Sequence, residues 1–347
     1  MTRSYFPSVD TATDESSPRS GAADSVRRRL ERWFPRALVY REWRLNRLLY
    51  GATWLMMSYP IVHGGGDSFV SLDISLSNLT VYWVAVVVGL GTLAMRADRA
   101  GIAYVLLGGA RRRDVLRVKA GFGVAVLSLT FFLPWLLYAS TDSGPNGVWQ
   151  PGVMAVGACT HLLALSAIYL TALAAACTVG NPLLAAAGAV LAAAVPAFVS
   201  VVLSFFFTRS YVLATGIGFT HWFAQLTTYL QFMSPLAAFT FGRSGPIVGP
   251  YLLWFATWCI AFWKLGGRLW EQVPVERMTE TYWYPKLRYV AQAGAASVIA
   301  FIIARRIDGA GPRHAWILVF LVVFAVVWWM IRRVTRWTEG RRVGERA

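Results

Sequence analysis

Acidic charge is scarce in this chain: 17 Asp and Glu stand against 33 Lys and Arg in 347 residues, and no carboxylate lies between Asp142 and Glu271. A membrane enzyme working through paired carboxylates, a metal cluster or a Ser/His/Asp set would need such groups inside its bundle. Proton- and sodium-coupled carriers place ionisable groups near the bilayer midplane, and the shortage counts against them too. Lysine is scarcer still. Lys119, Lys264 and Lys286 are the only three, and none follows the glycines of a phosphate-cradling loop. The chain therefore does not hydrolyse ATP by that route. Its three cysteines, Cys159, Cys177 and Cys259, sit in apolar runs without disulfide or metal spacing and read as small hydrophobes. Charged residues make up only 14% of the chain and hydrophobic ones 56%. Soluble domains carry about 25% charged residues, so the class is an all-α integral membrane protein.

What is present falls into about eight apolar spans. They lie near residues 48–62, 79–95, 120–139, 153–179, 183–207, 247–265, 290–304 and 315–331. Residues 1–25 are poor in large apolar side chains and read as a disordered cytoplasmic tail without the pattern of a signal peptide. Residues 26–47 set arginines around Leu30, Trp33, Phe34, Ala37 and Leu38, the pattern of an amphipathic helix on a membrane surface, broken near Pro35. Residues 48–265 hold six spans. Within them, 180–182 is a tight turn with Pro182 suited to the first turn of a helix. Alanine-rich stretches on either side predict a close hairpin of spans four and five. The region 208–250 is apolar but interrupted by Gly216, Gly218, Pro235, Gly242, Gly245 and Pro246. Its helical piece, 219–233, is too short for a hydrocarbon core of ~30 Å and reads as re-entrant. A cytoplasmic linker, 266–289, leads to two C-terminal spans within 290–331 and a basic tail, 332–347.

With both termini inside, the inner segments hold 28 of the 33 basic residues; Arg209, Arg243, Arg305, Arg306 and Arg313 are left outside. This asymmetry follows the positive-inside rule. It also accounts for the basic charge without nucleic acid.

The stretch that asks for a partner is 96–119. Asp98 and Arg99 open it, Gly101 precedes a short apolar helix over 102–107 that holds Ile102, Tyr104, Val105 and Leu106, and Arg111, Arg112 and Arg113 follow Gly108-Gly109. A plain topogenic loop needs no apolar helix bracketed by charge. A helix gripped in a groove of another protein does. His161, about two turns into the fourth span, suits a helix–helix hydrogen bond better than a substrate contact or proton site. His221 and Trp222 fit an interfacial aromatic pair and the lining of an exit equally well.

Two stretches carry a resemblance. Residues 37–47, ALVYREWRLNR, with Glu42, Trp43 and Arg44 at their centre, resemble the interface helix of bacterial type-2 ABC exporter permeases. Asp98-Arg99-x-Gly101, an apolar turn, small residues, basic residues and Asp114-Val115 with Lys119 resemble that family's coupling segment, which docks on the ATPase. Asp98 stands where Glu is more usual, and Gly109-Ala110 where a Pro-small pair is common. The six-span layout over 26–265 and the interrupted region before the sixth span agree with the family. Residues 275–331 resemble an eight-span branch of it.

The resemblance implies a six-helix permease core plus two C-terminal helices in the inner membrane. A second permease subunit, identical or sister, would pair with it, and separate nucleotide-binding subunits would carry ATP and magnesium. This chain itself would hold no cofactor, no metal and no catalytic residue. Asp98 and Arg99 would be end contacts to the ATPase, 102–107 the inserted face, and Arg111–Arg113 contacts to lipid phosphate or to acidic residues of the partner. An apolar path between permeases would suit an amphiphilic cargo such as a drug, an antibiotic peptide, a lipid or an envelope intermediate. Two other readings stay open: an ATP-independent secondary carrier, and a non-transport assembly or sensor subunit.

Overall fold

The computed structural model describes residues 35–63, 78–99, 111–140, 151–211, 217–236, 248–273 and 315–344, with separate helical positions between 289 and 303. All secondary structure with defined bounds there is α-helical. The helices are α1 (Arg36–His63), α2 (Asn78–Arg99), α3 (Arg112–Ser140), α4 (Pro151–Ala176), α5 (Pro182–Tyr211), α6 (Ile217–Phe232), α7 (Val248–Gln272) and α8 (Ala315–Gly344). Outside the described residues lie the tail, positions 26–34 of the expected interface helix, the linker 274–288 and much of the span expected at 290–304.

Several local features follow from the sequence directly. Pro35 precedes α1 and accepts the first helical bonds from Leu38 and Val39 at 2.9 and 3.0 Å; a proline there forfeits no helical donor. From Arg36 the helix runs unbroken to His63, so the change from surface helix to span expected at 47/48 falls inside one rod. The Asn181 side chain accepts bonds from the backbone N–H groups of Leu183 and Leu184. It thereby caps α5, with Pro182 at its first position as expected. α6 has 16 residues, about 24 Å at 1.5 Å per residue, in keeping with the short helix read between spans five and six. It lies against α5, where Ser200 donates to the Thr227 carbonyl at 2.5 Å and Ser234 to that of Ala193 at 2.7 Å. Trp254 of α7 donates to the Met233 carbonyl just after α6. α8 continues to Gly344, beyond the end expected at 331.

α4 is the central rod, with α2, α3, α5 and α7 around it. Ala164, Leu165, Ala167, Ile168, Tyr169, Ala172 and Ala176 on it are fully enclosed. It can lie so deep because three neighbours present glycine to it. A Cβ on Gly91 of α2 would fall 2.8 Å from the Ala172 Cβ, and one on Gly123 of α3 would fall 2.1 Å from the Tyr169 ring. One on Gly266 of α7 would come 3.3 Å from Ala174. Missing side chains at crossings let backbones approach and dispersion contacts accumulate. The expected α4–α5 hairpin forms, with Ala185, Ala189 and Ala193 buried, yet α7 is the more extensive neighbour of α4. Trp258 of α7 donates to the Thr171 hydroxyl at 3.0 Å and fixes that pairing.

Two stretches, Cys159–Ala176 in α4 and Pro182–Val201 in α5, are long and apolar enough to cross a membrane.

Candidate functional site at the charged end of the bundle

Glu42, Asn46 and Tyr50 recur every four residues on α1 and so share one face of the helix. All three are buried, whereas Trp43 and Arg44 beside them are exposed. The Glu42 carboxylate takes three hydrogen bonds. Oε1 accepts from the Asn46 amide at 2.8 Å and the Tyr50 hydroxyl at 2.6 Å, and Oε2 accepts from Lys119 Nζ at 2.8 Å. Lys119, in the second turn of α3, is completely enclosed. Its ammonium also donates to the Ala94 carbonyl of α2 at 2.8 Å. Tyr169 of α4 reaches through the space left by Gly123 and donates to the Lys119 carbonyl at 2.8 Å. One ammonium therefore ties α1 to α2 and α3, and a tyrosine adds the central rod. Phe122 closes the outer side, stacked between Tyr50 and Trp43 at ring separations of 5.4 and 6.5 Å.

A buried ion pair pays for its dehydration only when its remaining hydrogen-bonding capacity is met. Here three bonds to the carboxylate and two from the ammonium supply it. Removing either partner alone would leave the other charge buried and unmatched.

A second fastening lies at the start of α3. The Arg112 guanidinium donates to the carbonyls of Trp270, at 3.1 Å, and Val273. Those carbonyls close the C-terminal end of α7, where cations are favoured by the helix dipole. Arg113 pairs with Glu271 in the same place, and Arg117 with Asp114 at 3.0 Å. Of the three arginines expected to face a partner, Arg112 and Arg113 thus have contacts inside the chain, while Arg111 is exposed. Asp98 and Arg99 close α2, one turn past the Ala94 carbonyl that Lys119 holds. Gly101, Ile102, Tyr104, Val105 and Leu106 lie outside the described residues. So do the side chains of Asp98, Arg99, His221 and Trp222, though the backbone is helical at those four positions. His161 is buried on α4, eight residues or about 12 Å along the axis from Tyr169, and takes no part in this site.

The expectation that Glu42 belongs to a surface helix with Trp43 and Arg44 needs refining: its neighbours face outward, and it faces Lys119. Asn46, Tyr50, Gly123 and Tyr169 carry no sequence expectation, and Lys119 enters only through the coupling-segment resemblance and not as a partner of Glu42. A signal existed in the polar stripe at 42, 46 and 50, and in one of only three lysines standing just ahead of a long apolar run. Among the described residues no group of three or more His, Cys, Asp or Glu is placed to hold a metal ion. Comparison with protein-family models, curated proteins and solved structures finds no match to this chain.

Proposed function

We propose that the chain is the membrane-spanning permease subunit of an ABC exporter, driven by ATP hydrolysed on separate nucleotide-binding subunits. Residues 96–119 would form its coupling segment. The observation that supports this most is the fastening of both ends of that segment. The incoming helix α2 is held at Ala94 by Lys119, and the outgoing helix α3 is held by the Glu42–Lys119 pair and by Arg112 on the end of α7. A segment anchored at both ends on a stiff base passes an applied displacement to four helices as rigid-body motion. A loosely tethered loop would absorb it.

Support for a multi-pass membrane setting comes from the outer surface. Leu48, Leu55, Leu183, Val195, Leu253, Leu321, Val322 and Met330, spread over four helices, are all exposed large hydrophobics, side chains that lipid tails accommodate without cost. On α8, Arg332 and Arg333 sit over the rings of Trp328 and Trp329 at 5.9 and 5.2 Å, as aromatic and basic side chains do at a membrane boundary. Eight spans, cytoplasmic termini in the inner membrane, a permease partner and an amphiphilic cargo complete the proposal.

The test is co-purification from the native cell. The tagged chain should retain an ATPase subunit bearing the phosphate loop that is missing here, and replacing residues 98–107 should release it. Arg99→Glu should abolish transport while leaving membrane insertion intact. Recovery of the chain without any ATPase subunit would sink the proposal.

A second reading draws on the same pair. A carboxylate and an ammonium buried together are groups that an ion-coupled carrier can use. That reading requires gradient-driven uptake by the purified chain alone, abolished in Glu42→Gln.

A further inference from the structure

An open groove of about 1060 Å³ is lined by α2, Gly180, Asn181 and the first turns of α5. Small side chains on both walls, among them Ala85, Gly89, Ala186 and Ala187, make the room, and a Cβ built on Gly89 would meet nothing within 4 Å. Ala85 lies at one end and Arg96 at the other. The eleven helical steps from one to the other make the groove about 16 Å long, close to half of the ~30 Å hydrocarbon thickness.

The polar groups along its edge are already engaged. Thr92 donates to the Val88 carbonyl at 2.9 Å, and the Asn181 side-chain oxygen accepts the two N–H groups that it caps. Arg96 is different. It lines the groove, it is exposed, and among the described residues it has no hydrogen-bond or ion-pair partner.

We propose that this groove holds one acyl chain of an anionic phospholipid from the cytoplasmic leaflet, with its phosphate on Arg96. A single-leaflet length, an apolar bed and an exposed guanidinium at the basic end match the two parts of such a lipid. A second copy of the chain suits the groove less well. It would cover Arg96, and neither α2 up to that point nor α5 carries a carboxylate to meet it. The inference rests on the membrane-spanning reading but not on coupling to an ATPase.

The experiment is native mass spectrometry of the full chain released from detergent in the presence of phosphatidylglycerol or phosphatidylcholine. The wild type should retain phosphatidylglycerol in preference. Arg96→Gln should lower that preference about fivefold, the factor that one basic residue carries at an anionic surface. Ala187→Trp, which fills the groove at an exposed position, should reduce retention of both lipids. Equal retention of the two lipids by the wild type overturns the inference, as does an unchanged preference in Arg96→Gln. Efficient disulfide formation between copies of Ala187→Cys in the membrane overturns it in favour of a second copy. A chain that stays in the aqueous phase without detergent fails the membrane reading itself, whereas the absence of an ATPase partner leaves the lipid result standing.

Discussion

α4 and α5 are neighbours in sequence, similar in composition and both able to cross a membrane, but they stand in opposite relations to the rest of the molecule. In α4, 78% of the stretch Cys159–Ala176 is buried inside the chain; in α5 the figure for Pro182–Val201 is 22%. Apolar character does not separate them. What does is the set of residues facing them: Gly91, Gly123 and Gly266, on three different helices, open a channel for α4. α5 turns Leu183, Val190, Val195 and Val199 outward. The centre of this bundle is thus set by small residues on the neighbours more than by the hydrophobicity of the central helix.

The strongest way to break this contrast is to unfasten the charged end on which α4 rests. Lys119→Met should cost about 3–5 kcal/mol by stranding the Glu42 carboxylate, read as a large drop in thermal unfolding temperature in detergent. Adding Glu42→Gln should recover much of it, and a double variant no more stable than the single would show that the pair is not the fastening. Next comes the channel itself. Gly123→Leu should destabilise by about 1–3 kcal/mol through overpacking against Tyr169, and Tyr169→Ala in the same chain should relieve part of that loss. Tyr169→Phe keeps the ring and removes only the bond to the Lys119 carbonyl, so about 0.6 kcal/mol is expected, the usual size for a hydrogen bond between membrane helices. At the bottom of the scale, Val195→Leu on the outward face of α5 should stay within about 0.5 kcal/mol of the parent. A Val195 variant as damaging as the Gly123 variant would erase the difference between the two helices.

Much of this architecture is legible in the sequence wherever the cause is local. Apolar runs bounded by charge mark the helices, Asn181-Pro182 marks the start of α5, and closely spaced glycines and prolines mark the short α6. The long-range pairings are not legible in the same way. Glu42 sits in an arginine-rich helix where every neighbour argues for a surface, and its inward direction depends on Lys119, 77 residues away. Arg112 likewise reads as one of three equivalent arginines until the end of α7 comes beside it. The glycines that seat α4 are scattered over 175 positions of chain, from Gly91 to Gly266, and only the assembled bundle aligns them.

The Arg112 fastening also sets an order in time. Its acceptors, the carbonyls of Trp270 and Val273, lie 158 and 161 residues further along the chain. At about 5–20 residues per second, a ribosome delivers them roughly 8–30 s after Arg112 itself. The Glu42–Lys119 tie has both members much sooner, and Tyr169 joins it 50 residues after Lys119. During synthesis the base of the bundle is therefore closed from one side first. The start of α3 waits for α7, so among the junctions described at this end those that Arg112 and Arg113 make with the end of α7 come last.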